Sequence, residues 1–257
     1  MKINRFYLFF ALTVILFTNG CSTTYTSVKG KIFSPQEVSS IIEELRIQED
    51  KVNSFYSTGS VTVKDWKSEL DAISLIVGEK EPFRLKIEIT HSWGRPVLHI
   101  LIDKEIIEIL SFEEEKFYRG RNKPGVLSEF LSDIDPQLIW TVSRGYPPIL
   151  EHQRVISPGR NRISLLDKLE KGVETIYFDP ETLRPSLVSF PSFNMEVKFL
   201  GLTEDKGIHY AQMVVVDSHT SKKTLVLKNS RIVFNKSIPD EIFSIKCPPM
   251  FKIVDLN

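Results

Sequence analysis

The chain has 257 residues, with 33 basic and 33 acidic side chains and a formal net charge of zero. That balance argues against nucleic acid as a partner, because its binders carry a basic excess to meet phosphates. Hydrophobic residues make up 42% of the chain, enough for a packed core, and all-β domains often run beyond about 200 residues as one unit.

Lys2 and Arg5 form a positive start, Phe6–Phe17 is an uncharged apolar run, and Thr18, Asn19 and Gly20 are small or polar. This is the layout of an export signal. As a helix the run would span about 18 Å, short of the ~30 Å of a bilayer core. Cleavage before Cys21 would leave Thr18 and Gly20 where an ordinary signal peptidase wants small residues. "TNGC" also resembles the lipobox of bacterial lipoproteins, in which the cysteine becomes the first residue and its sulfur takes a diacylglycerol. Thr18 departs from that pattern, which usually has an aliphatic residue there. The expectation is a signal peptide over 1–20, a covalent lipid anchor at Cys21, a small polar tether over 21–33 and a folded domain over 34–257. No cofactor beyond that acyl modification is expected. Cys247, in "FSIKCPPMF", is then left without an intramolecular partner and reads as a small buried hydrophobe.

Ser34-Pro35-Gln36-Glu37 is a helix start: a cap, a proline suited to the first position and a glutamate that closes a capping box. Val38, Ile41, Ile42, Leu45 and Val52 follow at helical spacing. From Thr58 the period falls to two. "SVTVKD", "AISLIVGE", "FRLKIEIT", "PVLHILID", "EIIEIL" and "KFYRGR" read as strands, with Leu85, Ile87 and Ile89 on one side and Arg84, Lys86 and Glu88 on the other. The stretch from Pro124 to Pro148 interrupts them with two short helical pieces. The second starts at Asp135-Pro136, carries Leu138, Ile139 and Val142 on one face, and stops at Gly145. Strands resume from "RNRISLLD" to "RIVFN". The fold class expected is mainly β (α+β): a single curled antiparallel sheet, or unclosed β-barrel, of about 11 strands, with a few helices over its apolar concave face.

This order of elements resembles the bacterial outer-membrane lipoprotein carrier and receptor family, LolA and LolB. The resemblance rests on the first helix, "STGSVTV", "FRLKIEITHSWGRPVLHILID", "KFYRG", "DPQLIWTVSRGYPP" and "SIPDEIFSIKCP". It implies an apolar cavity that binds acyl chains of lipids or lipoproteins, an outer-membrane seat facing the periplasm, and a periplasmic carrier protein as partner. Membrane lipid would be met through Cys21, as in the anchored receptor. The receptor has an exposed apolar residue on a loop between early strands, and the matching loop His91–Arg95 holds Trp93, a membrane- or cargo-contacting candidate. The expected cavity lining is Leu85, Ile87, Ile89, Leu98 and Ile100, with Leu138 and Ile139 covering the opening.

The sequence carries no recognisable catalytic constellation. His91, His99, His152, His209 and His219 show no metal-ligand spacing, and no phosphate loop or G-x-S-x-G elbow occurs. His99 and His209 read as strand-face residues. Arg119 and Arg121 read as part of a solvated hairpin or as headgroup contacts at the cavity rim. The leading expectation is therefore a non-enzymatic acyl-chain binder; the alternative is an assembly lipoprotein that uses the same fold as a docking scaffold, with its interior filled.

Overall fold

The computed structural model describes residues 30–256 except 124, 129, 132, 133 and 135. Cys21 and the export signal lie outside the described residues. From Lys31 onward the chain is one unit.

Helix α1 (Pro35–Asp50) starts as its sequence dictates. The Ser34 hydroxyl accepts from the Glu37 amide, and the Glu37 carboxylate accepts from the Ser34 amide at 2.9 Å. Two otherwise unpaired donors are thereby satisfied. Val38, Ile42 and Leu45 are buried along one stripe. Gln48 extends it: its amide donates to the Gly207 carbonyl at 3.2 Å and accepts from the His209 amide at 3.0 Å.

Fourteen strands follow in one sheet. The first group is β1 (Ser54–Lys64), β2 (Glu69–Glu79), β3 (Arg84–Thr90), β4 (Pro96–Asp103), β5 (Ile106–Ser111) and β6 (Lys116–Arg121). After helix α2 (Pro136–Arg144) come β7 (Arg154–Gly159), β8 (Arg162–Leu166), β9 (Gly172–Phe178), β10 (Pro185–Phe190), β11 (Met195–Asp205), β12 (Ile208–Ser218), β13 (Lys223–Phe234) and β14 (Lys252–Leu256). The spatial order is β14-β6-β5-β4-β3-β2-β1-β13-β12-β11-β10-β9-β8-β7. Neighbours are antiparallel except β14, which runs parallel to β6. The sheet is curled and unclosed, with β14 and β7 as its edges.

The strand count exceeds the expected 11 or so, for local reasons. β7 carries Pro158 and a register irregularity between Ile156 and Gly159, the marks of an edge strand that pattern reading passes over. β14 is short and half exposed. Against this, "KTLVLK" and "RIVFN" merge into one long β13, whose polar middle is accommodated by a bulge at Ser230, the extra residue between the pairs Thr58–Arg231 and Gly59–Asn229. The first of the two expected helical pieces is also absent as a helix: residues 125–128, 130 and 131 form turns.

At that bulge a Cβ on Gly59 would lie 1.7 Å from the Lys228 carbonyl oxygen. Backbone, not a flexible side chain, fills the space. Gly59→Ala is expected to cost at least about 2 kcal/mol, read as a lower urea midpoint with an unchanged slope.

The inner face is built from aligned rows. Leu85 pairs with Ile102, Ile87 with Ile100, and Ile89 with Leu98; Ile76 extends the second row on β2. Helix α2 lies across this face. The Trp140 ring sits 4.9 Å from that of Phe55, in space that Gly78 leaves open: a Cβ there would be 2.8 Å from both rings. On the outer face, residues 235–251 run from the end of β13 to β14 as a strap. Arg84 holds it by ion pairing with Asp240 at 2.9 Å and stacking 4.3 Å from the Phe243 ring. Phe251 closes its far end against Phe112, at 5.8 Å. Cys247 lies in the strap half-buried rather than buried, its thiol 3.5 Å from the Pro248 carbonyl.

Candidate functional site

The concave side of the sheet is apolar by strand periodicity, and α2 covers it because Leu138, Ile139 and Val142 share a helix face. The seven expected lining residues, Leu85, Ile87, Ile89, Leu98, Ile100, Leu138 and Ile139, are all buried on this side. Among the described residues the space between sheet and helix is closely packed. What remains is a void of about 10 Å³, bordered by Ile87, Ile89 and Ile139 among the seven. That is about the room one water needs. Sequence reasoning missed Val61, Ile76, Leu131, Leu225 and Leu227, which also border the void. Their apolar parity was visible; the pairing of β1 with β13 that brings them together was not. Ser143 reaches the same wall with a hydroxyl that is buried and has no hydrogen-bond partner.

The C-terminal end of α2 is pinned. Gly145, at φ +79°, ends the helix; its carbonyl accepts from the Ala211 amide at 2.7 Å. Arg144 is 1% exposed. Its guanidinium donates to the Gln48 carbonyl at the end of α1 and stacks 5.0 Å from the Tyr146 ring. Burial lowers the Arg144 pKa to about 10 and raises the Tyr146 hydroxyl to about 12. Ahead of α2, Lys223 on β13 donates to the Ser128 carbonyl.

A buried acid lies on β9. Glu174 is fully buried; one oxygen accepts from the Leu150 amide at 3.0 Å and the other has no partner. Burial pushes its pKa up to about 8, so at neutral pH it is an uncharged acid. Glu49 on α1 is raised in the same direction by burial, against the pull of Lys80 and Arg144. Shifted groups of this kind often mark catalytic clefts. Here Glu174 is fully buried against the Leu150 backbone, and Glu49 is half-buried on α1.

Trp93 stands at the tip of the β3–β4 turn, 73% exposed, its ring stacked 4.2 Å from that of His91. Sequence reasoning did not single out Trp66, 76% exposed in the β1–β2 turn with Lys67 4.3 Å from its ring. Since β1 and β3 run the same way on either side of β2, both turns lie at one end of the sheet. Arg119 and Arg121 are not at the rim of the covered face. They alternate with the inward Tyr118 and Gly120, so they point to the outer side, next to β14. His99 packs edge-on against Phe112 at 4.9 Å, and His209 lies 3.2 Å from Glu204. Among the described residues no cluster of three or more His, Cys, Asp or Glu could hold a metal ion, and no helix is long and apolar enough to cross a membrane.

No protein-family model and no curated protein matches the chain. Solved structures do. A LolA superfamily protein from Nitrosomonas europaea is similar at 14% identity, with 81% of this chain and 97% of that chain covered and a TM-score of 0.48. A putative outer membrane lipoprotein-sorting protein domain from Vibrio parahaemolyticus is similar at 12% identity, 79% and 95% coverage and a TM-score of 0.44. The Mycobacterium tuberculosis lipoprotein LppX is similar at 10% identity, 80% and 99% coverage and a TM-score of 0.33. At this degree of similarity, only this chain's own side chains can say what it binds.

Proposed function

We propose that the protein is a lipoprotein anchored through diacylglycerol on Cys21 to the outer membrane, facing the periplasm, which binds acyl chains of lipids or lipoproteins between the inner sheet face and α2. No catalytic step is involved. The observation that carries this reading is the cover: a wide apolar face lies under one nine-residue helix and an irregular approach segment. The C-terminal end of that helix is tied through Arg144 and Gly145. Cargo would displace its N-terminal half and take its place on the rows containing Ile87 and Ile89. Each methylene buried there is worth about 0.8 kcal/mol, so cargo would move from a weaker apolar site, such as that of a periplasmic carrier protein, without an energy source. Trp93 would meet headgroups, where an indole ring is at home. The buried Ser143 hydroxyl offers an ester or glycerol oxygen the hydrogen bond it lacks in the closed state.

The alternative is a docking scaffold without cargo, and the filled interior favours it. Photo-cross-linking separates the two. The full chain, isolated from membranes, is loaded with a phospholipid bearing a photoreactive acyl chain, and the modified residues are mapped by mass spectrometry. Labels on Ile87, Ile89, Leu131 or Ile139, with a thioether-linked diacylglycerol on Cys21, are the expected result. An inner face without labels would overturn the reading in favour of the scaffold.

A further inference from the structure

We propose a second ligand site, on the outer face of the sheet beneath the C-terminal strap, for the carboxylate form of a single long-chain fatty acid. This site is separate from the inner face and does not depend on the function proposed above.

The outward face of an antiparallel sheet is ordinarily polar. Around β1 it is not. Tyr56 lies opposite Val77 on one side and Val233 on the other, and Leu75 continues the apolar strip. The strap lays Ile238 and Ile242 over these residues, yet the two surfaces do not close on each other. A cleft of about 540 Å³ remains between them, within the size range of small-molecule sites. Tyr56 and Ile242 border it while staying 41% and 40% exposed. The inner face, with its 10 Å³ void, has spent its apolar surface on packing; the outer cleft has not.

The roof is anchored at both ends. At its start the Ser54 hydroxyl donates to the Lys236 carbonyl at 2.7 Å, and the Asn235 side chain bonds to the Asn53 amide and the Lys51 carbonyl. At its far side Asp240 and Phe243 are fixed on Arg84. The cleft lies between these two anchored ends of the strap.

Charge selects the ligand. Four charged residues line the cleft: Lys86, Glu88, Arg231 and Lys236. Lys86 and Glu88 neutralise each other at 2.9 Å. Arg231 and Lys236 have no ion pair among the described residues, so the cleft presents two free cations beside an apolar floor. A guanidinium matches a carboxylate with two parallel hydrogen bonds. An apolar trough ending in an arginine and a lysine therefore fits one acyl chain with an anionic head.

Palmitate binding to the full chain, followed by calorimetry, tests this. One palmitate per chain is expected. Leu75→Trp, which fills the trough, should abolish binding at this site, read as loss of photoreactive labelling at Val77 and Val233. Arg231→Gln with Lys236→Gln, both at exposed positions, should weaken palmitate about tenfold, the worth of one charged hydrogen bond, and leave methyl palmitate unaffected. A photoreactive palmitate should label Val77 or Val233. The proposal is overturned if wild-type protein binds no palmitate, if the charge variant binds it as tightly as wild type does, or if labels fall only on the inner face.

Discussion

Replacing Glu174 with glutamine should stabilise the protein by about 5 kcal/mol at alkaline pH and change little near pH 4. The figure follows from a carboxyl whose pKa rises from 4.5 to about 8 on folding, at about 1.36 kcal/mol per unit. The sign follows from proton counting. Below pH 4.5 folded and unfolded chains both hold the proton, and the buried acid costs nothing extra. Between pH 4.5 and 8 the unfolded chain ionises while the folded chain keeps its proton, so stability falls as pH rises. Above pH 8 the folded carboxyl ionises too, and the loss is complete. Glutamine does not titrate, and its amide oxygen can still accept from the Leu150 amide. Urea unfolding of both proteins at pH 4, 6 and 9 checks the prediction. A gap that stays constant with pH would show that Glu174 does not titrate in a buried site.

Arg144→Ala is expected to cost about 2–5 kcal/mol, from the cavity left by a fully buried side chain and from the Gln48 carbonyl losing its charged donor. The side chain is sealed, yet it links three parts of the fold: the α2 terminus, the last turn of α1 and the Tyr146 ring. Its removal leaves the Gln48 carbonyl without that donor and Glu49 without a cation that holds its pKa down. Arg144→Lys should not restore the loss, because an ammonium cannot reproduce a planar group stacked on an aromatic ring. Chemical denaturation measures the cost. Hydrogen exchange should show α1 opening first, since its C-terminal turn loses the contact. A cost under 1 kcal/mol would mean that the guanidinium is not what joins the two helices.

Much of this architecture was legible because its causes are local. The capping box at Ser34 and Glu37 forms within four residues, so it could be read and placed. The alternation of "RLKIEIT" assigns Leu85, Ile87 and Ile89 to one face whatever the neighbouring strands do. Even Glu174 carried a signal: it shares inward parity with Ile176 and Phe178 on β9, an acid where an apolar residue belongs. Arg144 was harder, since a basic residue in the last turn of a helix reads as a surface complement to the helix dipole.

What the sequence by itself determined is the kind of surface each segment carries: strands with one apolar side and amphipathic helices. Those follow from spacing along the chain. Only the tertiary structure decided how the surfaces meet. Pairing β1 with β13 joins residues about 170 positions apart in sequence, and a curled sheet decides which apolar faces are filled and which stay open. The inner face, expected to be a cavity, is packed by α2; the outer face, expected to be wet, holds the larger apolar cleft. Both outcomes turn on volumes fixed by long-range register, and no local pattern encodes a volume.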